Sequence, residues 1–144
     1  MVDKDLLMEM KEKLDAGSDS ANIDDTLKVF ELYDQLAQKD GYLKEEIEEM
    51  ELSVQLIIND RDKKFWVKVS DGKMNYGEGE FEDPSFTFST DFETGSKILF
   101  GEIDATSAYM AGDITVEGNL ADALAFQEII ELSMETFEEE IENL

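Results

Sequence analysis

The sequence predicts an α+β (α/β) domain in which helices at both ends of the chain flank a block of strands. Three observations carry this. Apolar residues recur at helical spacing before residue 48 and again after residue 91, whereas between residues 50 and 90 they alternate with polar ones. The length, 144 residues, fits one domain with a buried core. No internal repeat and no Pro- or Gly-rich linker divides the chain.

Residues 3–48 read as helical. Leu7, Met10 and Leu14 give a short amphipathic helix ended near Gly17, and residues 17–22, Gly-Ser-Asp-Ser-Ala-Asn, read as a loop. A second helix starts after Asp24 or Asp25, whose charges suit a helix N-terminus. Val29, Leu32, Tyr33 and Leu36 make its buried stripe, and Asp40-Gly41 stops it. A short, very acidic helical piece covers residues 43–48.

The period then changes to two. Met50, Leu52, Val54, Leu56 and Ile58 alternate with Glu51, Ser53, Gln55 and Ile57, the pattern of a half-buried strand. Asn59-Asp60-Arg61-Asp62 is a turn, and Phe65, Val67 and Val69 make a second strand. Ser70-Asp71-Gly72-Lys73 is a second turn with the Asp-Gly signal of a tight hairpin. Met74 and Tyr76 continue a third strand, which Gly77 and Gly79 weaken or bulge. Three strands joined by short turns predict an antiparallel meander. Pro84 opens a fourth strand, Phe86-Thr87-Phe88-Ser89.

After residue 90 the helical spacing returns. Asp91 caps a helix containing Ile98, Leu99 and Phe100, which ends near Gly101. A second short helix runs from about Ala105 to Met110, before Gly112. One strand, Ile114-Thr115-Val116, precedes Asn119, a good N-cap for the final helix. Phe126, Ile130, Met134, Phe137 and Ile141 form the stripe of that helix.

Composition removes several function classes. The chain has no Cys, which excludes disulfides, thiol catalysis and Cys-based metal sites. It has no His, the commonest general base and transition-metal ligand, so triad hydrolases and His-type zinc hydrolases drop out. The formal net charge is −25, from 37 acidic and 12 basic residues. Such a surface repels nucleic acid and anionic membranes. It reads as a heavily solvated surface, with a basic protein partner as the sharper alternative. No apolar run is long enough for a transmembrane helix. Met1-Val2-Asp3-Lys4-Asp5 lacks the basic start of a signal peptide, so a cytoplasmic location is expected.

No catalytic constellation stands out, because with 37 acids carboxylate pairs occur at any spacing by chance. Residues 60–65 lack the third oxygen ligand and the sixth-position Gly of a calcium loop. Gly77-Glu78-Gly79 lacks the third Gly of a dinucleotide fingerprint, and Glu78 and Glu80 would repel a pyrophosphate. No catalytic residue, metal or cofactor is expected, and the chain reads as a non-enzyme.

Four segments, in order, resemble the sterol carrier protein 2 (SCP-2) family. Residues 84–89, Pro-Ser-Phe-Thr-Phe-Ser, are similar to its fourth strand. Residues 91–102, Asp-Phe-Glu-Thr-Gly-Ser-Lys-Ile-Leu-Phe-Gly-Glu, are similar to the helix that follows. Residues 104–112 contain Ala108-Tyr109-Met110-Ala111-Gly112, which resembles its Ala-aromatic-x-x-Gly turn-helix. Residues 113–124, with Ile114-Thr115-Val116-Glu117-Gly118-Asn119 and Ala123, resemble its strand-to-helix signature. The resemblance covers roughly residues 45–135. It implies a five-stranded, mostly antiparallel sheet covered by helices, here as residues 45–144, with residues 1–44 as a helical N-terminal extension packed on it.

The resemblance further implies non-catalytic binding or carriage of a fatty acid, acyl-CoA, sterol or isoprenoid in an internal cavity. The alternative is an accessory or protein-interaction module that uses the same scaffold with a filled core. Candidate cavity-lining residues are Phe86, Phe88, Ile98, Leu99, Tyr109, Met110, Leu124 and Met134, although spacing alone would assign such residues to a solid core. Met110 and Leu124 are expected to face the space between the sheet and the C-terminal helices. The family's lipid-transferring members tend to be basic, but here residues 45–49 are acidic and Asp113 and Thr115 replace the usual fifth-strand lysines. The expected partner is therefore a lipid-like small molecule, without stable binding to anionic membranes and with a protein partner left open.

Overall fold

The computed structural model describes residues 2–16, 22–39 and 41–143. The expected loop at 17–22, apart from Asn22, and the stop at Asp40 lie outside the described residues. Three helices come first, α1 (Lys4–Ala16), α2 (Asp25–Ala37) and α3 (Tyr42–Glu48). The strands β1 (Leu52–Ile58), β2 (Lys63–Ser70), β3 (Lys73–Glu78) and β4 (Phe86–Thr90) follow. The chain ends with α4 (Phe92–Leu99), α5 (Ala105–Ala111), β5 (Thr115–Gly118) and α6 (Leu120–Glu142). The fold is α+β, one five-stranded sheet with helices packed against it.

The strand order is β3-β2-β1-β4-β5. The β1–β2–β3 meander is antiparallel, β4 pairs with β1 in parallel, and β5 closes the other edge antiparallel to β4. Alternation puts Leu52, Val54, Leu56 and Ile58 on one face with Phe65, Val67, Phe86 and Phe88, all buried under the helices. One apolar core runs from Leu6 and Leu7 of α1 through this face to Phe137 of α6.

β3 and β4 both run parallel to β1, so residues 79–85 must travel back along the sheet between them. Gln55, buried on the second face, anchors that crossover. Its Nε2 donates to the carbonyls of Phe65 (2.8 Å) and Gly79 (3.0 Å), and its Oε1 accepts the Phe81 N–H at 2.5 Å. Trp66 packs on Phe81 with ring centroids 5.3 Å apart. Gly77 does not bulge the strand as its sequence suggests. It stays in register opposite Trp66, where a Cβ would lie 2.9 Å from the indole. The glycine is the shelf on which that ring rests.

The two acids at the start of α2 have different roles. Asp24 makes no side-chain cap bond. Asp25 is buried and accepts the Asn22 N–H at 2.9 Å and the Lys13 ammonium at 2.7 Å, which ties α1 to α2. The fifth strand also differs from its expected span. Gly112 ends α5 in the left-handed region and the Asp113 N–H returns to the Ala108 carbonyl at 2.9 Å. The ladder with β4 therefore starts only at Thr115 and runs on to Gly118.

Tyr33 links α2 to α4, its buried hydroxyl donating to the Leu99 carbonyl. Burial pushes its pKa far above the ordinary tyrosine value, because the phenolate would have to form without water. Below the unfolded-state pKa, about 10, this contributes nothing to pH dependence. Above it the unfolded chain releases the proton and the folded chain does not. Stability should then fall by up to about 1.4 kcal/mol per pH unit from this residue. Urea midpoints measured from neutral to alkaline pH should fall less steeply for Tyr33→Phe than for the parent, and equal slopes would show that Tyr33 ionises in the folded state.

Candidate functional site

A cavity of about 270 Å³ lies between the β4–β5 edge of the sheet and the helices α5 and α6. Phe86 and Phe88 form its floor, because alternation turns both toward the helices. Val116 stands beside Phe88 in the ladder, and Ile114, just before β5, is buried next to them. Ala105, Thr106, Tyr109 and Met110 of α5 make one wall. Leu120, Ala123, Leu124 and Gln127 of α6 make the other, with Phe126 and Ile130 at the base.

Local caps fix these walls. Asp104 caps α5 by accepting from the Ser107 N–H at 3.1 Å. Asn119 caps α6 by accepting from the Asp122 N–H at 3.1 Å, while its own N–H donates to the Ser85 carbonyl at 2.9 Å. The start of α6 is thereby fastened to the start of β4. Thr106 clasps the two helices together, its N–H and its hydroxyl both donating to Gln127 Oε1 at 2.8 Å. Gln127 Nε2 donates to Glu131 at 3.3 Å. The two polar side chains of the wall therefore satisfy each other, and the surface facing the cavity is apolar. No carboxylate, amine or guanidinium lines it.

The structure places the eight candidate residues in two groups. Phe86, Phe88, Tyr109, Met110 and Leu124 line this cavity. Ile98 and Leu99 border a gap of about 20 Å³ beneath α4, Ile98 also lines a hollow of about 130 Å³ that meets the cavity at Ala105, Gln127 and Ile130, and Met134 borders a gap of about 10 Å³ beside Tyr33. α4 packs its Gly95 on Thr90 near Ile58, at the other end of β4, so neither Ile98 nor Leu99 is among the residues lining the cavity itself. Met134 belongs to the second half of α6, which packs on α1 and α2.

Met110 and Leu124 border the space between the sheet and the C-terminal helices at its outer edge. They stand on the open lip, 81% and 58% exposed. α5 has seven residues and buries only Ala108, so it rides over the cavity rather than sinking into it. Leu120 (52% exposed) and Tyr109 (43%) complete the lip. Nine further lining residues escape the sequence reading, among them Ile114, Val116, Leu120, Ala123 and Phe126. The signal was present, since 120, 123, 124 and 127 repeat at helical spacing. A separate hollow of about 330 Å³, at Glu51, Ser53, Lys68 and residues 83–85, is polar and has no comparable apolar wall.

Fold and site together define a small helix-covered α+β domain with an apolar cavity between its last two helices and a sheet edge. The chain belongs to the SCP-2 sterol transfer family, whose model matches residues 31–131. Family and fold together suggest lipid binding or transfer. Among solved structures the chain is similar to the sterol carrier protein domain 2 of Helicoverpa armigera, with 18% identity over 80% of this chain and 94% of that one and a TM-score of 0.62. It is similar to palmitated SCP2L2 from Aedes aegypti at 20% identity, over 71% and 90% of the two chains, with a TM-score of 0.53. It is also similar to part of the sec-alkylsulfatase Pisa1 from Pseudomonas sp., at 13% identity and a TM-score of 0.54 over 62% of this chain. The chain spans 14% of that enzyme's length. No curated protein sequence matches it.

Proposed function

We propose that this chain binds one lipid-like apolar molecule, a fatty-acyl chain, sterol or isoprenoid, in the α5–α6 cavity, and does not act on it chemically. The observation that carries this is the apolar wall of a cavity of about 270 Å³ that opens to solvent through a lip of exposed side chains. Pockets for small molecules run from roughly 300 Å³ upward, so this one takes a chain segment while the head stays at the lip. Burying a ten-carbon segment would contribute about 8 kcal/mol before ordering costs. The palmitated relative supports an acyl chain as the apolar part of the guest. The open volume favours this reading over an accessory module with a filled core.

The neutral fluorescent probe 1-aminoanthracene tests the reading. It should bind saturably, near one per chain, and be displaced by twelve-carbon amphiphiles. Met110→Trp should narrow the lip and weaken probe binding several-fold. Because Met110 packs on little, that change should leave stability within about 0.5 kcal/mol. Absence of saturable probe binding, or strong destabilisation by Met110→Trp, would count against a binding cavity open at this lip.

A further inference from the structure

We infer that Gln127, held in place by Thr106, is the stop that sets how long an apolar chain this cavity accepts. The inference rests on the cavity being the binding site, as proposed above. From the lip the two walls run inward together, α5 from Met110 back to Thr106 and α6 from Leu120 forward to Gln127. Thr106 lies about one turn from Met110, and Gln127 about two turns from Leu120. The clasp between them therefore closes the end of the cavity away from the lip.

Beyond the clasp the space does not end. The hollow of about 130 Å³ around Ile98, Ile103 and Glu131 shares Ala105, Gln127 and Ile130 with the cavity. It would add about half as much volume again. Of the three shared residues, Ala105 offers only a methyl group and Ile130 is buried in the core. The side chain of Gln127 is the barrier left between the two spaces.

Hydrogen bonding makes that barrier firm. Thr106 stands in the first turn of α5, where a backbone N–H has no partner within its own helix. Gln127 Oε1 accepts that N–H and the Thr106 hydroxyl, both at 2.8 Å, while its Nε2 donates to Glu131 at 3.3 Å. A tail that pushed Gln127 aside would leave both Thr106 donors unpaired against hydrocarbon. That cost offsets the gain from several buried methylenes. An aliphatic residue at 127, bound to nothing, would yield to a longer tail.

Displacement of 1-aminoanthracene by straight-chain alcohols from octanol to tetradecanol tests the stop. In the parent protein potency should rise about fourfold per methylene and then level off where the tail meets Gln127. In Gln127→Ala the levelling should come later, so that the ratio of tetradecanol to decanol potency rises about tenfold or more. Thr106→Val keeps the side-chain volume and one of the two bonds, and should raise that ratio by less. Ile103 lines the hollow but not the cavity, so adding Ile103→Trp to Gln127→Ala should remove the gain. A role confined to tying α5 to α6 would weaken all the alcohols alike. An unchanged ratio in Gln127→Ala and Thr106→Val therefore overturns the stop, as does a gain that Ile103→Trp leaves intact. Either result leaves the cavity reading standing as long as the parent binds the probe saturably. A parent protein that binds no probe overturns both.

Discussion

Phe126→Ala should cost about 3–5 kcal/mol of stability and lengthen the cavity in the same step. Phe126 is buried on α6, with its ring 6.1 Å from that of Phe86 across the helix–sheet boundary. With Phe88 and Ile130 it stands between the open cavity and the closed gap beneath α4. Truncation removes the ring's contacts with both sides, and the rigid sheet cannot collapse to refill the space. The two hollows should then join. Urea denaturation followed by the fluorescence of Trp66, the chain's single tryptophan, measures the loss. If the variant stays folded, the straight-chain alcohol that best displaces 1-aminoanthracene should become longer by a few carbons, each added buried CH₂ contributing roughly 0.8 kcal/mol. A loss below about 1 kcal/mol, or an unchanged chain-length preference, would show that Phe126 does not separate the two spaces.

The order of elements was legible because the period of apolar residues and the helix caps are local signals. β1 keeps Leu52, Val54, Leu56 and Ile58 on the face that meets the helices, which gives the period of two although Gln55 is buried and Ile57 apolar on the other face. Asp91 and Asn119 announce helix starts through local hydrogen bonds, to the N–H groups of Thr94 and Asp122. The cavity was only half legible, and α6 shows why. Its 23 residues serve two neighbours, so it carries two stripes. The stripe of Phe126, Ile130, Met134, Phe137 and Ile141 is the more apolar and draws attention, but its later part packs toward α1 and α2. The stripe over the cavity is Leu120, Ala123, Leu124 and Gln127, half of it exposed and one member polar. Spacing cannot tell which stripe faces a void. The parallel β1–β4 pairing was equally hidden, because it depends on residues 79–85 doubling back, and their anchor, Gln55, looks like an ordinary polar position in an alternating strand.

Gly118→Ala should destabilise the fold by about 3–5 kcal/mol, far more than the same change at Gly112. Both glycines have positive φ, +107° at Gly118 and +84° at Gly112, so both substitutions carry a backbone penalty of about 1–2 kcal/mol. Their surroundings differ. At Gly112 an added Cβ meets nothing within 4 Å. At Gly118 it would lie 2.7 Å from the Ser85 carbonyl oxygen and 2.9 Å from Phe86 Cα, which are backbone atoms and cannot swing aside. Relief requires β5 to part from β4 where Phe86 pairs with Gly118. The next link is the Asn119 N–H bond to Ser85, which fastens α6 to the sheet. Losing it frees the half of α6 that carries Leu120, Ala123 and Leu124, so cavity binding should fail together with stability. Urea midpoints and probe titrations on both variants separate the two effects. Gly112→Ala should lose about 1–2 kcal/mol and retain binding, whereas Gly118→Ala should lose both. Equal losses at the two positions would mean that the strand moves aside without penalty, and that the close approach of β5 to β4 does not hold the cavity together.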